Sequence, residues 1–168
     1  MKNLLHQKMQ INIYTDGSSK GNPGKGGYGV IIKNKDHYLE LSQGYNLTTN
    51  NRMELLAVIV GLESIKKENQ TVLVTSDSKY VIDSVAKGWV FNWERKGFKK
   101  KKNPDLWKRF LIVYRKHNVS FFWIRGHSGH KENERCDQLA VDASTKLDLK
   151  ADVYFESLQN NPPNLFNS

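Results

Sequence analysis

Two apolar runs that each finish in a carboxylate constrain this chain more than any other feature. In Ile11-Asn12-Ile13-Tyr14-Thr15-Asp16-Gly17, Ile11 and Ile13 share one face and Asn12 and Tyr14 the other, the period-two alternation of a β-strand. The turn formers Thr15-Asp16-Gly17-Ser18 end the run, which sets Asp16 at or just past a strand end. The pattern recurs in Val72-Leu73-Val74-Thr75-Ser76-Asp77-Ser78. Two such strands predict two carboxylates at one edge of one sheet. A carboxylate buried there is costly unless a cation or a hydrogen-bond donor meets it.

The rest of the chain supplies the elements around that edge. Gly21 to Gly27 reads as turn material, Tyr28 to Lys33 as a second strand and His37 to Tyr45 as a third. The run Gly24-Lys25-Gly26-Gly27-Tyr28-Gly29 matches G-x-G-x-x-G, but Val30-Ile31-Ile32 follows instead of a helix, so a dinucleotide loop is rejected. Thr48-Thr49-Asn50-Asn51 caps a helix expected over Arg52 to Lys66, with Met53, Leu56, Ala57 and Val60 as its core stripe. A short helix follows the second acid-tipped strand. Pro104 opens another helix, with Trp107, Phe110, Leu111 and Tyr114 inward. Val119 to Ile124 forms a last strand and Asn133 to Lys146 a last helix. The order β-β-β-α-β-α-α-β-α predicts an α/β domain: a five-stranded mixed sheet, antiparallel first and then parallel, with helices on both faces. The domain is expected over residues 10–147, with an N-terminal extension at 1–9. Residues 148–168 read as a C-terminal tail, disordered from about Gln159.

At 168 residues one domain buries roughly 70% of its unfolded surface, so neither disulfide nor structural metal is needed. The single cysteine, Cys136, excludes an internal disulfide and a Cys-rich zinc site. No run has signal-peptide or membrane-spanning character, so a reducing cytoplasm is the expected compartment. The 26 Lys and Arg against 17 Asp and Glu give a net charge of +9. Arg95 to Lys102 holds a dense share of it without an acid, and such localised charge suits a phosphate-rich partner.

Asp16, Glu54, Asp77 and Asp137 stand at comparable places, two ending strands and two in the first turns of helices. Any one of them is explained by the helix macrodipole, worth only about 0.3–1 kcal/mol. Four together in a basic protein repel one another unless cations intervene. With Mg²⁺, which takes a few carboxylates plus water and phosphate oxygens, they suit phosphoryl transfer.

The local sequences around these acids carry a resemblance. Thr15-Asp16-Gly17-Ser18, Gly21-Asn22-Pro23-Gly24 and Gly26-Gly27-Tyr28-Gly29 resemble the opening of bacterial-type ribonuclease HI. So do Thr49-Asn50-Asn51-Arg52-Met53-Glu54-Leu55 and Ser76-Asp77-Ser78-Lys79-Tyr80-Val81. Gly126-His127-Ser128-Gly129-His130 and Glu132-Asn133-Glu134-Arg135-Cys136-Asp137 complete the set, all in family order from about Gln10 to Lys146. The resemblance implies an endonuclease that cuts the RNA strand of RNA–DNA hybrids, leaving 5′-phosphate and 3′-hydroxyl ends. It implies that Asp16, Glu54, Asp77 and Asp137 hold the metal, two Mg²⁺ with Mn²⁺ able to substitute. It also implies that His127, on a flexible loop, assists proton transfer or product release. A zinc pair of His127 and His130 is the competing reading, but no third soft ligand stands nearby. Glu134 matches a position that contacts the RNA sugar or orients the metals, and is equally readable as a solvated first-turn acid.

Substrate binding divides in two. Trp89, Phe91, Trp93 and Phe98 interleave with Arg95, Lys96 and Lys99 to Lys102, cations and flat rings suited to a nucleic-acid backbone. This resembles the family's basic handle, expected at about 89–103, with Trp89, Trp93, Lys99 and Lys100 as contacts. The competing reading is a solvated lysine loop with its tryptophans in the core. Thr49, Asn51 and Arg52 match a family phosphate pocket, and Asn22 and Asn50 positions near the groove. The expected partner is the hybrid duplex, bound by a monomer without an obligate protein partner. A non-catalytic hybrid-binding module and an integrase-like strand transferase are the alternatives.

Overall fold

The computed structural model describes residues 9–162. Strands β1 (Ile11–Gly21), β2 (Gly24–Lys33) and β3 (Tyr38–Thr48) form an antiparallel meander. Then come α1 (Asn50–Glu63), β4 (Thr71–Ser76), α2 (Lys79–Ala86), α3 (Trp89–Arg95), α4 (Pro104–Tyr114), β5 (Asn118–Trp123), α5 (Lys131–Thr145) and α6 (Val153–Asn160). The sheet order is β3-β2-β1-β4-β5, with β4 parallel to β1 and β5 parallel to β4. Helix α1, backed by α4, covers one face, and α5 lies across β1, β2 and β3 on the other. The mixed sheet between helical layers is therefore the architecture found.

Several local expectations shift. Gly24 to Gly27 belongs to β2 rather than to the turn, because Lys20 pairs with Lys25 and Gly21 with Gly24. The glycines there serve packing: a Cβ on Gly27 or Gly29 would lie 2.6 Å from the Ala140 carbonyl oxygen or 2.1 Å from that of Cys136. Their absence of side chain seats α5 directly on the sheet. Helix α1 starts at Asn50 and ends at Glu63, with Thr49 as its cap, the Thr49 hydroxyl accepting from the Arg52 amide at 3.3 Å. The expected stripe understates its burial. Leu55, Val58, Ile59 and Leu62 are as buried as Met53 and Ala57, while Val60 is only half-buried. A helix clamped between a sheet and α4 has two apolar sides, which a one-stripe reading cannot represent.

Helix α5 starts at Lys131, capped by His130, so Asp137 falls in its second turn instead of its first. The basic aromatic segment contains a helix, α3, that the sequence reading left unassigned. The segment read as a tail is built into the fold. Lys150 bridges to Tyr45 beside β3, Asp152 is buried, and α6 continues to Asn160, past the point where disorder was expected. The N-terminal extension short of Met9 and the Asn-rich finish beyond residue 162 lie outside the described residues.

Candidate active site

The register of β1 explains how two of the acids meet. On its β4 side the ladder ends at Tyr14↔Thr75, while on its β2 side β1 continues, with Asp16 opposite Gly29. Asp16 is thus inside the hairpin yet beyond the parallel ladder, which refines the expected strand end. Asp16 and Asp77 each lie two residues past the same Tyr14↔Thr75 pair, so parallel strands about 4.8 Å apart set them side by side. Glu54 arrives from the opposite face through α1. A Cβ on Gly17 would lie 2.3 Å from the Glu54 amide nitrogen, so only glycine lets α1 approach the strand this closely. Since α1 starts at Asn50, Glu54 falls just past its first turn instead of within it.

Carboxylate oxygens of Asp16, Glu54 and Asp77 all lie within 4.8 Å of one another. Asp16 and Glu54 are buried and Asp77 half-buried. Asp137, half-buried on α5, stands outside that tight group, yet its charge acts on both Asp16 and Asp77. Burial, then Asp77 and Asp137, push the Asp16 carboxyl up to about 7, although the Gly17 amide donates to its Oδ1 at 2.9 Å. Glu54 is held well above the usual carboxylate range by burial and then by Asp16 and Asp77. Asp77 is raised as well, chiefly by burial, with His127 opposing. Among the described residues no N–H or O–H donor meets the buried Oε2 of Glu54. Three crowded carboxyls with an orphaned oxygen and raised proton affinity form a set that a hard divalent cation fits.

His127 is exposed on the loop between β5 and α5, in the left-handed conformation at φ 55°, near enough to Asp77 to act on it electrostatically. His130 points to a different task. Its Nδ1 accepts from the Asn133 amide at 3.4 Å as the cap of α5, and its ring packs 5.6 Å from that of Tyr14. The two histidines join no metal-ligand cluster among the described residues. Glu134 is exposed on the first turn of α5. Cys136 is buried, its Sγ donating to the Tyr14 carbonyl at 3.2 Å, as its inward position predicts.

A cleft of about 370 Å³ is lined in part by Asn22, Thr49, Asn51, Arg52, Lys101 and Lys102. Asn22 accepts from the Asn50 amide at 3.2 Å, tying the β1–β2 turn to the start of α1. Arg52 differs from the free phosphate cation its motif suggests. It is only 2% exposed. Its Nε and Nη2 donate to Asp152 at 2.7 and 2.8 Å, its Nη1 and Nη2 to Asp105 at 2.9 and 2.7 Å, and its Nη1 to Asn103 at 3.2 Å. All five guanidinium donors are committed, so Arg52 fastens α1 to α4 and α6. Asn103, Tyr154 and Phe155, which also line this cleft, escaped the sequence reading. Asn103 adopts φ 60° ahead of Pro104. An Asn before a helix-opening Pro was the signal the sequence offered, since Asn tolerates the left-handed region.

The handle separates into layers. Lys99, Lys100, Lys101 and Lys102 are exposed. Phe98 is buried, and Trp93 is half-buried with its ring edge-on to Trp107 at 5.9 Å. Trp89 is exposed, with the Lys87 ammonium 5.0 Å from its ring centroid, and Lys101 sits 5.3 Å from Trp93. The aromatics thus divide between core and surface, with Trp93 and Phe98 holding the segment down and Trp89 facing outward. No helix among the described residues is long and apolar enough to cross a membrane.

Comparison with known proteins places the chain in a family. The family model described as RNase H matches residues 8–145. A ribonuclease H of Trichodesmium erythraeum (strain IMS101) is 52% identical over 158 residues, covering 91% of this chain and all of that protein. The crystal structure of LC9-RNase H1, a type 1 RNase H with the type 2 active-site motif, superposes with TM-score 0.74 at 32% identity, covering 82% of this chain and 72% of that one. LC11-RNase H1 in complex with RNA/DNA hybrid gives TM-score 0.59 at 30% identity, covering 79% of this chain and 95% of that one. Acids, sheet order and sequence motifs lead to one place: the chain belongs to the ribonuclease H family.

Proposed function

We propose that this protein is a metal-dependent endonuclease that hydrolyses the RNA strand of RNA–DNA hybrids, leaving 5′-phosphate and 3′-hydroxyl ends. The observation that carries the reading is the convergence of Asp16, Glu54 and Asp77 within 4.8 Å, with the Oε2 of Glu54 orphaned. The hybrid-bound LC11-RNase H1 supports the choice of substrate. Asp16, Glu54, Asp77 and Asp137 hold two Mg²⁺, which Mn²⁺ can replace. When bound, the ions supply activation of the attacking water and stabilisation of the leaving 3′-oxygen. Asp16 and Glu54 provide fixed oxygens, because a paired hairpin and a buried helix hold their backbones. His127, exposed beside Asp77, moves a proton or eases product release. The lysines of the handle grip the DNA strand, Thr49 and Asn51 receive its phosphate, Asn22 and Asn50 lie near the groove, and Glu134 contacts the RNA sugar or orients the metals. The protein acts as a monomer.

The test uses a strand-labelled hybrid, with Mg²⁺ added first and EDTA afterwards. RNA-strand cuts with the stated ends, halted by EDTA, are expected. Binding without cutting would identify a hybrid-binding module, and joining of strands a transferase. Cleavage that persists in EDTA would remove the metal from the reading.

A further inference from the structure

Asp77 is held differently from its two partners. Asp16 lies within a paired hairpin and Glu54 within a buried helix, but β4 ends at Ser76 and α2 begins at Lys79. Asp77 therefore sits in the joint between them, half-buried, facing two carboxyls that repel it. The Nε1 of Trp123 donates to the backbone carbonyl of Asp77 at 3.0 Å. Trp123 is the last residue of β5, paired with Ser76, and remains 42% exposed, so core packing does not explain a tryptophan there. The ammonium of Lys79, on the other side of the joint, stands 4.9 Å from its ring centroid. Immediately beyond, a Cβ on Gly126 would lie 2.6 Å from the Oδ2 of Asp77, so the chain after β5 abuts the carboxylate itself.

We infer that Trp123 is a positioning residue for the metal site: its indole N–H pins the Asp77 peptide, and so its carboxylate, against repulsion from Asp16 and Glu54. The inference rests on the metal-dependent reading above and adds a residue that the acids alone do not identify. A ligand displaced by even a fraction of an ångström loses affinity, as outer partners of metal ligands generally show. Trp123→Phe keeps a flat ring for Lys79 and removes the donor, at the expense of part of the indole's area.

The experiment measures Mg²⁺ and Mn²⁺ binding to the intact protein by calorimetry, alongside melting temperature and hybrid cleavage. In Trp123→Phe the dissociation constant should rise at least threefold, and the metal concentration for half-maximal cleavage by the same factor. Melting temperature in EDTA should stay within about 2 °C, and KM for hybrid should be unchanged. In the wild-type protein the Trp123 indole N–H resonance should move on Mg²⁺ titration while that of exposed Trp89 stays in place. This second arm decides the matter should the variant not fold. Unchanged metal affinity in a folded variant, or an indole signal indifferent to Mg²⁺, overturns the inference. A wild-type protein that binds no divalent ion overturns the metal reading as well, so the two failures are distinguishable.

Discussion

Carboxyls crowded without a cation keep protons that the unfolded chain releases. Asp16 takes up its proton at about 7 in the fold against a usual 3.8, because burial and the neighbouring acids oppose its ionisation. Between those values the folded state binds more protons than the unfolded one, so stability falls as pH rises from about 4 to about 7. In EDTA, melting temperature should therefore decline across that window, and Asp16→Asn should flatten the decline. Mg²⁺ should raise the wild-type melting temperature at pH 7 and leave the variant little changed. A wild-type melting temperature that climbs steadily from pH 4 to 7 in EDTA contradicts this account. The same substitution removes a ligand charge while keeping the shape, so cleavage should drop at least about a thousandfold, and Asp77→Asn should behave alike. His127 is exposed on the loop between β5 and α5, close enough to Asp77 to act on it. For His127→Ala, kcat should drop by roughly ten- to a thousandfold, with KM little altered. A loss as complete as that of Asp16→Asn would assign His127 a ligand or structural role.

At the scale of elements, α6 depends on one buried cluster. Asp152, just before α6, receives two donors of Arg52 from α1 and the Thr48 hydroxyl at 2.8 Å. Removing one partner of a buried pair leaves its charge uncompensated, which typically costs about 3–5 kcal/mol. Asp105 still faces Arg52, so Asp152→Ala should cost less, about 2–4 kcal/mol in urea unfolding. Hybrid cleavage at saturating Mg²⁺ should survive, since Asp152 touches none of the three clustered acids. A loss under 0.5 kcal/mol, the ordinary range for a surface change, would make α6 a loose appendage. This cluster also marks the limit of what the sequence reveals. Alternating apolar residues and terminal acids made β1, β4 and the site legible, because strand period and turn chemistry are local. The partnership of Arg52 with Asp105 and Asp152 is not local: three segments far apart in sequence contribute to it. Arg52 within its motif therefore read as a ligand cation, and the acid-bearing end as a tail. Helix α3 was hidden for a related reason. Its seven residues, Trp89–Arg95, are too few to display a helical period.

Over the whole molecule, charge is sorted. Asp16, Glu54 and Asp77 cluster within 4.8 Å, under the influence of the Asp137 charge, in a chain of net charge +9, and an exposed lysine run follows the segment anchored by Phe98 and Trp93. In the proposed reading chemistry and grip stand on separate supports, so one should weaken without the other. Replacing Lys99, Lys100, Lys101 and Lys102 by Ala removes up to four phosphate contacts from exposed positions and leaves the anchoring rings in place. Lys101 also lies over Trp93, so a small loss of local packing accompanies the change. Each lysine that neutralises a phosphate contributes about −0.9 to the slope of log K against log salt. If two of the four make such contacts, the slope should flatten by about two. KM for hybrid should rise steeply at moderate salt, while kcat at saturating hybrid stays within a few-fold. The measurement is a salt titration of hybrid binding with Ca²⁺ in place of Mg²⁺ to prevent cutting. Because Arg52 already spends its donors on Asp105, Asp152 and Asn103, it cannot take over a lost grip without breaking the α6 cluster. An unchanged slope would therefore move the grip to other cations of the segment, such as Lys87, which lies over the exposed Trp89 ring, and would leave the lysine run as a solvated loop.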